Sequence, residues 1–219
     1  MDSVWTIVVA GGSGLRFGMR KQFADLGGVS VLQRSVDAAG TASAGVVIVV
    51  PGDAVDSTEI VAPPGCLVQV VAGGASRAES VRAGLAAVPA DTSVVLVHDA
   101  ARPLATPQLF SAVVAAVRDG ADAVVPGVPV ADTIRRRSGG VVDREELLAV
   151  QTPQGFPAEG LRAAHASGDE ATDDATLVER AGGVVVVVAG ESANRKITDP
   201  VDLVTAAAML DVAEGDTNA

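Results

Sequence analysis

Two of the 16 basic residues in this chain are lysines, and each falls in a loop that follows a run of β-branched residues. Lys21 comes after the run Val4–Ala10 and the turn Ala10-Gly11-Gly12-Ser13-Gly14-Leu15-Arg16. Lys196 comes after Val184–Ala189 and the loop Gly190-Glu191-Ser192-Ala193-Asn194-Arg195. Glycines at the end of a strand let backbone N–H groups close on a phosphate, and oriented amides form an anion-binding concavity. Arg16 and Lys21 stand just downstream, where cations would neutralise a polyphosphate. A further strand-like run, Ser93–Val97, leads into His98-Asp99-Ala100-Ala101-Arg102-Pro103. A carboxylate at the C-terminal end of a strand suits Mg2+, which takes hard oxygen ligands together with substrate phosphates. Each signal has a plainer reading. Glycine turns serve geometry alone, lone lysines are mostly solvated, Asp99 could cap a turn or pair with Arg102, and His98 reads as a satisfied, partly buried side chain.

Three phosphate-binding schemes can be compared with these letters. A P-loop needs Gly-Lys-Ser/Thr after the glycine turn, and none follows. A dinucleotide fingerprint needs a third glycine where Phe17 stands and an acidic residue closing the second strand; both are missing. A nucleoside triphosphate cradled by the loop, with cations supplied by Arg16 and Lys21, fits. A second glycine turn, Val71-Ala72-Gly73-Gly74-Ala75-Ser76-Arg77, repeats the strand–turn–helix arrangement.

These loops need elements to hold them. Val4–Ala10, Val46–Val50, Leu67–Val71, Ser93–Val97, Ala123–Val128 and Val184–Ala189 are nearly unalternating apolar runs, as in strands buried on both faces of a parallel sheet. Between them lie helix starts. Ser76-Arg77-Ala78-Glu79 is a capping box opening a helix to about Ala87, and Thr106-Pro107 and Asp199-Pro200 each pair a capping side chain with Pro at the first helical position. The alternation predicts one α/β domain over residues 1–219, a Rossmann-like doubly wound, mostly parallel twisted sheet with ligands at the C-terminal ends of its strands. Residues 131–151 break the rhythm. Two short alternating segments around Ser138-Gly139-Gly140 predict a projecting β-hairpin, too polar for the core, which packs against a second subunit or else moves freely.

The net charge of −11 and pI near 4.5 exclude a nucleic-acid-coating or membrane-surface protein. With 48% hydrophobic residues the chain is not disordered, yet no apolar run approaches the length that crosses a bilayer. No signal peptide is visible, and a single cysteine fits a reducing cytoplasm. Two histidines and one cysteine make a zinc site unsuitable.

The string Ala10–Arg16 with Lys21-Gln22-Phe23 resembles the signature loop of nucleotidyltransferases. Gly73-Gly74 with Arg77 and Ser80, His98–Pro103, Pro129–Thr133, Gln151-Thr152-Pro153-Gln154-Gly155-Phe156 and Asn194-Arg195-Lys196 narrow the resemblance to the 2-C-methyl-D-erythritol 4-phosphate cytidylyltransferases of the non-mevalonate isoprenoid pathway. The matches run in order along nearly the whole chain. The resemblance implies that CMP passes from CTP to methylerythritol 4-phosphate with Mg2+ or another divalent cation. Arg16, Lys21 and Lys196 would be catalytic. The backbone of Ala10, Gly11, Gly12 and Gly14 would hold the triphosphate, Gly74 and Ser80 the cytosine, and Asp99 the nucleotide and the metal. Arg102, Thr133, Arg144, Thr152 and Lys196 would surround the acceptor. It further implies a homodimer joined by the hairpin arm, with Arg144 reaching the partner's site. The nearest rival is a ribitol-5-phosphate cytidylyltransferase of the same fold, and a rival from another class is a silent nucleotide-binding subunit. Two departures from the family pattern stand out: Ala75 replaces an acidic residue, and no carboxylate immediately precedes Lys196 to serve as a second metal ligand.

Overall fold

A computed structural model describes residues 3–12 and 20–217, with side chains through 210. Gly14 and Arg16 lie outside the described residues. Strands β1 (Val4–Val9), β4 (Gly45–Val50), β5 (Leu67–Ala72), β6 (Val94–Asp99), β7 (Ala123–Pro129) and β12 (Val185–Ala189) match the six apolar runs. Two short pairs, β2 (Asp25–Leu26) with β3 (Val29–Ser30) and β8 (Ile134–Arg135) with β9 (Val141–Val142), are separate hairpins. β10 (Leu148–Val150) and β11 (Gln154–Pro157) complete an eight-stranded sheet.

The sheet runs β5-β4-β1-β6-β11-β7, with β12 and β10 both paired to β7. β5, β4, β1 and β6 are parallel neighbours, as are β7 and β12; β10 and β11 run antiparallel to β7. Side-chain alternation sorts the core into two layers. Val46, Ile48 and Val50 of β4 face helices α1 (Val31–Gly40) and α3 (Pro107–Arg118), whereas Val47 and Val49 face α2 (Arg77–Ala87), α4 (Ala158–His165) and α5 (Asp174–Arg180). From β1 the succession runs outward through β4 to β5 and then resumes on the other side with β6. The strand order therefore reverses at the β1–β6 seam, and the loops leaving these two parallel strands open on one edge.

The capping signals are realised at two helices. Ser76 and Glu79 form the reciprocal box at α2, and Thr106 Oγ1 accepts from Leu109 N ahead of Pro107. At α6 (Pro200–Thr217) the carboxylate that caps is Asp202, not Asp199. It accepts from Thr198 N at 2.7 Å and Asp199 N at 2.9 Å, the half of a capping box supplied from inside the helix.

Three expectations need correction. β5 and β12 are not buried on both faces: Leu67 is 66% exposed and Val187 49%. β5 is an edge strand, and β12 stands outside β7, so each lacks a full complement of covering elements. Residues 148–150 return to the main sheet as β10, so the hairpin ends before residue 151. β11 carries no sequence signal of its own, being a four-residue strand that follows Pro153, ends in Pro157 and contains no apolar run. The hairpin itself is present, closed by Arg136 N to Gly140 O at 3.0 Å, and none of residues 131–150 is buried.

Candidate active site

Side chains alternate along β6, so its last two residues point into different layers. His98 enters the α3 layer, its ring 5.0 Å from that of Phe110, while Asp99 faces the start of α2. Around Asp99 opens a cleft of about 440 Å3, lined by Ala10, Gly11, Gly12, Lys21, Gly74, Ser80, Asp99 and Lys196, with Gln22 and Arg77 beside them. Eight of the sequence-marked residues thus share one cavity at the sheet's C-terminal edge.

The two lysines meet through Ile197, a buried anchor whose N–H donates to Ala101 O at 2.8 Å. Lys21 Nζ donates to Ile197 O at 2.7 Å, and Lys196 Nζ lies 2.6 Å from Asp99 Oδ2. Arg77 Nε approaches the other oxygen, Oδ1, at 3.5 Å. Burial pushes the Asp99 carboxyl upward, but Lys196, Arg77 and Arg102 outweigh it and hold the group at about 2. It is therefore ionised at every working pH. Gln22 Nε2 donates to Ala10 O at 2.9 Å and so ties the segment around Lys21 to the end of β1.

The glycines of the second turn are there for close approach. A Cβ on Gly74 would collide with Glu79 Cβ, and one on Gly73 would sit 2.7 Å from Ser80 Oγ. Ser80 Oγ donates to Ser76 O at 2.9 Å, and Glu79 accepts from Ala75 N at 2.6 Å. With Ala75 in place of an acid, this rim of the cleft offers backbone groups and the Ser80 hydroxyl.

Behind Asp99 runs a directional hydrogen-bond chain. Asp99 N donates to Thr152 Oγ1 at 3.0 Å, and Thr152 Oγ1 lies 3.1 Å from His98 Nδ1. His98 Nε2 faces Arg102 O at 3.2 Å; a carbonyl only accepts, so Nε2 carries the hydrogen and Nδ1 receives that of Thr152. Burial lowers His98 to about 4 despite Asp99 beside it, leaving a neutral, fully bonded ring. Arg102 binds carbonyls rather than Asp99, donating to Asn194 O at 2.8 Å and Val150 O at 3.3 Å. Buried Asn194 in turn donates to Gln151 Oε1 at 3.1 Å and Thr152 O at 2.9 Å, tying the Lys196 loop to the β10–β11 bend.

Arg102 and Thr152 therefore adjoin the cleft, whereas Thr133 and Arg144 line a different hollow on the hairpin with Val141, Val142 and Asp143. Arg144 Nη1 donates to Ala131 O at 2.5 Å. Sequence reasoning assigned no role to Gln22, Gln151 or Asn194, and none to Arg77; an arginine at the first position of a capped helix after a glycine turn was the available signal for the last.

Among the described residues no group of three His, Cys, Asp or Glu side chains could hold a metal. Asp99 is the one acid among the described residues that line the cleft. Glu191 is turned away, accepting from Thr106 N at 3.2 Å and from its hydroxyl at the start of α3. A single carboxylate still fits Mg2+, which keeps waters and takes remaining ligands from substrate phosphates. No helix among the described residues is long and apolar enough to cross a membrane.

A glycine-walled, cation-rimmed cleft at the switch point of a mostly parallel sheet defines an α/β enzyme built for a phosphate-rich nucleotide. The chain belongs to the 2-C-methyl-D-erythritol 4-phosphate cytidylyltransferase (IspD) family, whose model matches residues 4–212. It is 48% identical over 95% of its length, and 94% of the relative's, to a protein of that name from Nocardia farcinica. A Rhodococcus opacus protein of the same name is 50% identical, with 95% of each chain covered. The crystal structure of the Thermus thermophilus cytidylyltransferase is similar with a TM-score of 0.78 and 39% identity, covering 95% of this chain and 98% of that one.

Proposed function

We propose that the chain transfers CMP from CTP to 2-C-methyl-D-erythritol 4-phosphate and releases pyrophosphate. The observation that carries this reading is the meeting of Lys21, Lys196 and Asp99 at a glycine-lined cleft, in a chain of this family. A phosphate oxygen of the acceptor attacks the α-phosphorus of CTP; the bond to the bridging oxygen breaks, and its electron pair leaves with pyrophosphate. Two anions must approach, so catalysis is chiefly positioning and charge neutralisation.

Amides of Gly11, Gly12 and Gly14 wrap the triphosphate, and Ala10, whose own N–H donates to Val49 O at 2.8 Å, lines the cleft beside them. Arg16 and Lys21 neutralise charge growing on the transferring phosphoryl group and on the leaving group. Gly74 and Ser80 read the cytosine edge through backbone and hydroxyl. Asp99 would hold Mg2+, which when bound supplies positive charge to the triphosphate oxygens. Lys196, two residues beyond Asn194, bridges toward the acceptor phosphate; Arg102 and Thr152 surround the polyol together with Thr133 from the hairpin of a second copy, and Thr152 also holds the Asp99 backbone.

Arg144 completes the site from a second copy in a homodimer. Two features support this. Thr133 and Arg144 are displayed on a hairpin with no buried residue, apart from the cleft of their own chain. Leu148 and Val187, about half exposed, close over Gly127 and leave an apolar surface at the base of the hairpin.

Pyrophosphate release tests the reading. It is expected only when CTP, Mg2+ and the methylerythritol phosphate are all present. Release with ribitol 5-phosphate alone, or with no polyol phosphate at all, overturns it.

A further inference from the structure

Asp174 is 1% exposed at the first position of α5, and it is doubly bound. Its Oδ2 lies 2.7 Å from Arg77 Nη1, and its Oδ1 lies 3.0 Å from Nε2 of the buried His165. A carboxylate accepts, so His165 Nε2 carries the hydrogen, while Nδ1 is buried with no partner among the described residues. Holding Asp174 is the one polar contact of the His165 ring among those residues. Arg77, in contrast, lines the cleft with its side chain 25% exposed and its Nε 3.5 Å from Asp99 Oδ1. The segment before α5 also braces this corner. Glu170 Oε1 accepts from Ser76 Oγ at 2.7 Å and from Arg82 Nη2 at 3.2 Å, both on the first turns of α2.

A buried ion pair is a poor device for stability alone, since an apolar pair of similar volume commonly does as well. It does fix direction. The planar fork of arginine can meet one carboxylate through Nη1 and a second through Nε, which a lysine cannot do. Held at both, the guanidinium keeps its remaining edge toward the cleft, between the second glycine turn and Asp99.

We infer that Asp174, backed by His165, is a positioning residue for nucleotide binding: it aims Arg77 into the cleft, where Arg77 contacts the bound nucleoside triphosphate. This rests on the reading of the cleft as a CTP site. Asp174 acts only through Arg77, and His165 only through Asp174.

Equilibrium binding of CTP with Mg2+, measured by calorimetry alongside steady-state kinetics, tests the chain of contacts. Arg77→Lys and Asp174→Asn are each expected to weaken CTP roughly tenfold or more while the KM for the acceptor stays within about twofold. The double variant is expected to bind no more weakly than Arg77→Lys, because Asp174 has nothing left to aim. His165→Gln, whose amide can still donate to Asp174, is expected to retain CTP affinity, and His165→Leu to lose part of it. Unchanged affinity in folded Asp174→Asn, or losses that multiply in the double variant, would overturn the proposal. Should Asp174→Asn not fold, wild-type affinity in Arg77→Lys overturns it as well. Wild-type protein that binds CTP but turns over no acceptor removes the proposed reaction and leaves this inference to stand or fall on the affinities.

Discussion

Lys21 is tied to the Lys196 loop through one backbone group, the carbonyl of Ile197, and Lys196 is paired with Asp99 at the cleft. Lys196 has an anionic partner in Asp99 2.6 Å away, and on the proposed reading it serves position as well as charge. Lys21 donates to the Ile197 carbonyl and lines the same cleft. Lys21→Ala is expected to lower kcat by roughly a hundred- to thousand-fold with a smaller effect on the KM for CTP, the signature of a contact made chiefly in the transition state. A change confined to KM would contradict that role. At this scale the sequence was readable where a residue type is rare or ends a strand: two lysines, and Asp99 closing β6. It was silent on Gln22, Gln151, Asn194 and Asp174, whose tasks are created by contacts with loops far along the chain. Asp174 reaches Arg77 across 97 positions, and no local pattern marks such a pair.

Elements were legible where period and cap agree. The β-branched runs became strands, and the Ser76–Glu79 box opened α2 at the expected residue. β11 was not legible, because its pairing with β6 and not its own composition makes it a strand. The hairpin was legible as an element, and its use is the open matter at this scale. If Arg144 works across a two-fold interface, mixing Arg144→Ala chains with Lys21→Ala chains restores one intact site per mixed dimer. Random exchange then returns about a quarter of wild-type activity from two nearly inactive parents. No recovery at any mixing ratio would show that each chain completes its own site.

Over the whole molecule, acidity and a shortage of lysine look at first like repulsion of anionic substrates. The net charge of −11 does repel polymers. On the proposed reading small anions are met locally, by amides at strand ends and by Arg77, Lys21 and Lys196, which line the cleft around one carboxylate. The same burial that builds this site makes stability depend on acid. His98 titrates at about 4 when folded and at 6.5 ordinarily, so the unfolded chain binds the extra proton between those values. Its contribution is complete above pH 6.5 and is lost as pH falls toward 4, with about 2 kcal/mol gone by pH 5. Asp99, held near 2, adds a further loss only below about pH 4. Urea unfolding at pH 7 and pH 5 is expected to show the first loss, and His98→Gln to flatten it; equal slopes in both proteins would contradict the neutral, buried ring.

The choice of acceptor is the claim on which the functional account turns. In one reaction with CTP and Mg2+, methylerythritol 4-phosphate and ribitol 5-phosphate compete at equal concentration, and the products are identified by mass spectrometry. The account predicts that the cytidine diphosphate of methylerythritol dominates, with one pyrophosphate released per product. Dominance of the ribitol product, or no cytidine diphosphate product at all, would contradict it.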